Sequence, residues 1–222
     1  MVDKAQTDVD NIIRDIIRDI KEMGQRTRLS IDRTVTSLKE QETSLADKVI
    51  GMNREIDEFG DVVEDKCTRT MTIKVSPAQL RMLKGTLKMI IDLKSISGLA
   101  VEIAYITKAT AGSPHIKPLV DIPRMSDILQ EMLDGSIEAL EKQDVELAKD
   151  IASRDEEIDA LFDQVRRELI TYMIEDPKKI ANASHLTFAS RYLERMGDHI
   201  NNLCERVVYM VTGEKPDLNK RG

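Results

Sequence analysis

The chain repeats itself, and that constrains its fold more than any single motif does. Glu40, Gln41, Ala46, Glu55, Ile56 and Asp57 recur 102 positions later as Lys142, Gln143, Ala148, Glu157, Ile158 and Asp159. Pro77, Leu93, Ile96 and Ile103 match Pro177, Leu193, Met196 and Leu203 at an offset of 100, so the copies differ by a small change in length. A copy of about a hundred residues is domain-sized. The architecture that suits one copy must suit the other.

Each copy reads as helices. Ile12, Ile16, Ile20 and Met23, then Ile31, Val35 and Leu38, recur at helical spacing and predict one long amphipathic helix over 8–40. A turn near Gln41 starts a second helix that runs to about Thr72. Ser76-Pro77 reads as an N-cap followed by proline at the first helical position, where the missing N–H costs nothing. That third helix ends near Gly112, and Ala111-Gly112-Ser113-Pro114-His115 with Pro118 and Pro123 forms a linker.

The pattern then restarts: a fourth helix over about 124–141, a fifth capped by Asp144, and a sixth opened by Asp176-Pro177 and closed by Gly213. With no Trp and only 3% aromatic residues a β-rich fold is disfavoured, and 41% apolar residues suffice for a packed core. The expectation is an all-α protein of two tandem three-helix bundles related by internal duplication, with units at 1–112 and 118–222. Helix should cover roughly three quarters of the chain or more, with no sheet.

The net charge of −7 argues against electrostatic binding to nucleic acid or directly to anionic lipid, both of which need surplus Lys and Arg. No run approaches about 18 apolar residues, and Met1–Gln6 lacks a signal-peptide layout, so a cytoplasmic protein is expected. Cys67 and Cys204 are too few and too far apart for a zinc box or disulfide framework and read as buried apolar residues.

In the sixth helix Leu193, Met196, Ile200, Leu203, Val207 and Met210 step by three and four and form a packing seam. Glu194, Asp198 and Asn202 fall on the side of the helix away from its centre and are expected to face outward. A row of this kind is ordinarily a solvated face with weak local pairs to Arg191 or Arg195. The first copy keeps the seam but places Lys94, Gly98 and Glu102 where this row stands, so packing does not require the row.

The fifth helix adds a second i,i+4 acidic pair, Asp155 and Asp159. Together the two pairs offer four hard oxygen donors, suited to iron, zinc, manganese, magnesium or calcium. The first copy has only Asn53 and Asp57 there, and Lys94 would repel a cation. His199 is expected to be solvated. Ferritin-like Glu-x-x-His pairs, a P-loop, a Gly-x-Ser-x-Gly elbow and a dinucleotide fingerprint do not occur.

Asp155-x-x-Glu-Ile-Asp159, Tyr192-Leu-Glu-Arg-Met-Gly-Asp-His-Ile-Asn-Asn202 and Val211-Thr-Gly-Glu214 resemble the PhoU family of phosphate-signalling regulators. The resemblance covers nearly the whole chain, duplication included. It implies a six-helix fold and paired acidic motifs that in some members bind iron or other metals. Residue by residue, it carries Asp155, Asp159, Glu194 and Asp198 over as metal positions, with Asn202 as a neighbour. The chain departs from the family at Lys94, Ser95, Gly98 and Glu102, where a second motif would stand.

The resemblance also implies repression of phosphate uptake and of the starvation response, through the ATPase of a phosphate ABC transporter and a sensor histidine kinase. Contact with the membrane is then only through partners. The expected function is non-enzymatic regulation by protein contact. The competing readings are a carboxylate-bound metalloenzyme, such as a metal-dependent phosphohydrolase, and a metal-free helical adaptor. Ile13 and Ile17, beside the main stripe, suggest an exposed apolar surface and a homodimer.

Overall fold

The computed structural model describes residues 4–218. Met1–Asp3, the start of the stretch read above for a leader pattern, and 219–222, the end of the expected second unit, lie outside the described residues. Among those described, 87% are helical and none is in a strand. The helices are α1 (Lys4–Glu40), α2 (Thr43–Met71), α3 (Pro77–Thr110), α4 (Asp121–Lys142), α5 (Val145–Ser153), α6 (Asp155–Glu175) and α7 (Ile180–Thr212), with a 3-10 turn at Pro177–Lys179.

The predicted caps form. Ser76 Oγ accepts from Gln79 N at 3.2 Å, while Gln79 Oε1 accepts from Ser76 N at 2.8 Å, a complete capping box. Gln79 also donates to Asp10 Oδ1 at 2.6 Å, which ties the start of α3 to α1. Asp144 accepts from Glu146 N and Leu147 N at 3.1 and 3.0 Å. Gly213, at φ 81, closes α7 in the left-handed conformation that glycine adopts without a Cβ penalty. At Asp176-Pro177 the outcome differs: Asp176 caps only the 3-10 turn, and α7 begins at Ile180.

The helix expected after Asp144 is broken in two. At Arg154 the bonds tighten to three-residue links, Arg154 N to Ile151 O and Glu157 N to Arg154 O. The Arg154 side chain meets Glu131 of α4 at 2.7 Å and Glu157 at 3.6 Å. Its repeat counterpart, Met52, sits inside the unbroken α2. The break makes Asp155 the first residue of α6, and Asp155, Glu156 and Glu157 fill the first turn, where the helix dipole favours negative charge.

The two bundles share one continuous core. Helix α3 packs broadly along α7, α1 lies against α4, and α4 also meets α7. The α3–α7 approach is close enough that a Cβ on Gly85 would overlap Met210. The predicted seam from Leu193 to Met210 is buried along its length, and so are Cys67 and Cys204. Burial pushes both thiols up to about 12, so they remain protonated and inert. The expectation for Ile13 and Ile17 is corrected. Ile13 is buried, and Ile17 packs half-buried against the core, so neither supplies an exposed apolar surface.

Candidate functional site

The second copy brings its carboxylates together on facing sides of α6 and α7. Asp155 and Asp159 come from the first two turns of α6, and Glu194 and Asp198 from α7. The outward orientation expected for the α7 row is wrong. Glu194 is 2% exposed and Asp155 5%, while Asp198 is half-buried. The physical reason is that α7 is central: α3, α4, α5 and α6 all pack on it, so one apolar seam accounts for only part of its buried surface.

The approach of the two helices depends on Gly197. A Cβ at that position would overlap Asp155 Oδ1. That oxygen is buried and has no hydrogen-bond partner. Its group is pushed up to about 7, first because burial strips water from the charged form and next because Asp159, Asp198 and Glu194 repel it; the Asn201 side chain pulls the other way by hydrogen bonding. Arg191 pairs with Glu194 and lies over the Phe162 ring, 5.6 Å from its centroid. A surface pocket of about 180 Å³ opens beside the cluster, lined by Asp159, Phe162, Asp163, Arg191 and Glu194.

Asn202 does not join this cluster. It donates to Asp92 Oδ1 of α3 at 3.2 Å, and His199 Nδ1 lies 2.9 Å from the same oxygen. The expectation that His199 is merely solvated is likewise corrected, since it is half-buried in this link between the bundles. Asn201 takes the place expected of Asn202. Helical geometry carries the signal: seven residues past Glu194 returns to within about 20° of it, while eight residues turns about 80° away. The Arg191–Glu194 pair follows from its i,i+3 spacing, whereas Asp92 carried no comparable signal.

In the first copy Lys94 reaches across Gly60 of α2 to pair with Asp61. Its chain occupies the space that a side chain at 60 would fill. Asn53 donates to Asp57 Oδ2 at 3.1 Å, and a Cβ on Gly98 would meet nothing within 4 Å. The positions equivalent to Glu194 and Asp198 thus hold an ammonium and no side chain.

In chemistry the second-copy cluster fits a hard cation. Its donors are all oxygens, its charge is repulsive without a counterion, and one carboxylate oxygen is buried without a partner. Among the described residues no three His, Cys, Asp or Glu side chains are gathered closely enough to hold a metal ion as they stand, so coordination requires these side chains to draw in.

The PhoU domain family model matches residues 20–107 and 122–207, one domain in each half of the duplication. The chain belongs to the PhoU family. A phosphate-specific transport system accessory protein PhoU homolog of Aquifex aeolicus is 36% identical over 193 residues, 86% of this chain and 87% of that one. The homolog of Deinococcus radiodurans is 35% identical over 179 residues, 80% of this chain and 84% of its own.

The crystal structure of PhoU from Pseudomonas aeruginosa superposes with a TM-score of 0.88 at 26% identity, covering 92% of this chain and 99% of that one. The PhoU structure from Streptococcus pneumoniae has a TM-score of 0.86, covering 94% and 99%; at 22% identity it supports the fold alone. The all-α duplicated architecture expected from the sequence is therefore that of PhoU proteins. Among the described residues no helix is long and apolar enough to cross a membrane.

Proposed function

We propose that this PhoU protein represses phosphate uptake and the phosphate-starvation response by protein–protein contact in the cytoplasm. The observation that carries the reading is family membership over nearly the whole chain, with both PhoU domains present. Relatives are named as accessory proteins of the phosphate-specific transport system. The partners proposed are the ATPase of a phosphate ABC transporter and a sensor histidine kinase, with the chain acting as a homodimer and reaching the membrane only through them. A non-enzymatic role suits the acidic cluster, where the guanidinium at its edge, Arg191, is engaged with Glu194 and packed on Phe162.

Metal binding belongs to the same proposal. Asp155, Asp159, Glu194 and Asp198 would hold iron, zinc, manganese or magnesium, while Asn202, bonded to Asp92, stands apart from them. A bound cation supplies the charge that relieves repulsion among the carboxylates. Asn201, beside Asp155, orients that carboxylate by hydrogen bonding. Affinity capture from phosphate-replete cells followed by mass spectrometry tests the partners; absence of both a transporter ATPase and a sensor kinase overturns that assignment. Metal analysis of untagged full-length protein, with and without Glu194→Gln plus Asp198→Asn, tests the cation, and equal metal content in both defeats it. Sedimentation equilibrium decides the dimer.

A further inference from the structure

A second pocket lies at the other end of α7 and has the opposite charge. Lys84 and Lys88 of α3, Glu205, Arg206 and Tyr209 of α7, and Lys215 and Pro216 of the tail enclose about 110 Å³. Four cations face one carboxylate there, in a chain whose net charge is −7. The twelve residues from Glu194 to Arg206 set the two sites about 18 Å apart along the helix axis.

The one carboxylate is already engaged. Glu205 Oε1 accepts from Leu218 N at 3.1 Å, which holds the tail over the pocket, and its other oxygen stays 3.9 Å from the Arg206 guanidinium, too far for a hydrogen bond. Arg206 Nε is buried with no hydrogen-bond partner. Buried guanidinium donors without acceptors cost free energy, and like charges gathered around a cavity repel. Both costs fall if an anion with several acceptor oxygens enters.

We propose that this pocket binds a small doubly charged oxyanion of the phosphate type, either inorganic phosphate or the phosphoryl group of a small ester. The volume admits a small ion or head group and no folded partner. An excess of three positive charges is better matched by a dianion than by a carboxylate or chloride. Lys215 and Pro216 form part of the wall, so a bound anion also contacts the tail. The assignment rests on the pocket alone and stands whether or not the partners proposed above are correct.

The test uses the full chain in a chelating buffer, so that metal on the acidic cluster contributes nothing, at ionic strength held constant with sodium chloride. Calorimetric titration and thermal denaturation are run with inorganic phosphate and, separately, with glycerol phosphate. Saturable binding with a rise in Tm is expected for at least one of them. Equal responses assign the site to the phosphoryl group in either form, and a response to the ester alone assigns it to the esterified form. Lys84→Gln combined with Lys88→Gln, both exposed, is expected to weaken binding at least tenfold without lowering Tm in chloride. Arg206→Gln is expected to abolish it. Neither ligand surpassing chloride, or unaltered binding in the double variant, overturns the proposal.

Discussion

Gln41 and Gln143, 102 residues apart and equivalent in the duplication, both hold a left-handed backbone, at φ 56 and 54. Each ends a helix the same way: Glu42 N bonds Ser37 O at 2.9 Å and Asp144 N bonds Ala139 O at 3.0 Å, the six-to-one bond of a Schellman ending. Glycine is the residue this position favours, since a Cβ there costs about 1 kcal/mol. Only Gln41 has a visible compensation: its amide donates to Thr110 O at 3.1 Å and Ser113 O at 2.6 Å, satisfying a terminal carbonyl of α3.

The two glutamines should therefore respond oppositely to the same change. Gln143→Gly is expected to stabilise by about 0.5–1 kcal/mol. Gln41→Gly is expected to destabilise by about 0.5–1 kcal/mol, because two hydrogen bonds are lost along with the strain. Chemical denaturation of both variants checks the contrast, and a gain at both positions would show that the Gln41 bonds contribute nothing.

Gly98 and Gly197 make a second opposed pair. With open space around its Cβ position, Gly98→Ala should gain about 0.5–1 kcal/mol from helix propensity. Gly197→Ala meets Asp155 Oδ1 and should lose about 1–2 kcal/mol even after the same propensity gain. Urea midpoints at constant m-value report both, and a stabilised Gly197→Ala would mean that α6 and α7 separate at little cost.

The Asp155 carboxyl sets a pH dependence of definite sign. Its pKa is raised from 3.8 to about 7 in the folded chain, so between these values the native state holds more protons than the unfolded one. Stability contributed by this group is full below about pH 4, falls as pH rises to about 7, and is flat above. The loss amounts to no more than about 4 kcal/mol. In chelator, Asp155→Asn should be more stable than the parent at pH 8 and close to it at pH 4–5. A stability difference independent of pH contradicts the raised pKa.

The Asp92–His199 contact should couple the two bundles. Asp92 is buried and receives both His199 and Asn202, so Asp92→Ala is expected to cost about 1–3 kcal/mol. A double-mutant cycle with His199→Ala should return a coupling energy of at least about 0.5 kcal/mol. Strict additivity of the two substitutions would show that the contact links the bundles in geometry only.

What the sequence determined by itself is whatever depends on neighbours along one helix. The stripe from Leu193 to Met210, the caps at Ser76, Asp144 and Gly213, and the duplication are periodic or local signals, and the family resemblance covers the chain end to end. The carboxylates Asp155, Asp159, Glu194 and Asp198 were legible as a group because two i,i+4 pairs on adjacent helices can meet only if those helices pack. Tertiary structure alone decided which way they face. A helix with one apolar stripe reads as having one buried side, yet α7 is covered by four helices, so Glu194 is buried and His199 and Asn202 reach Asp92. The break at Arg154 and the path of Lys94 over Gly60 belong to the same class. Each depends on a partner brought close by folding, and helical periodicity holds no information about which partner that is.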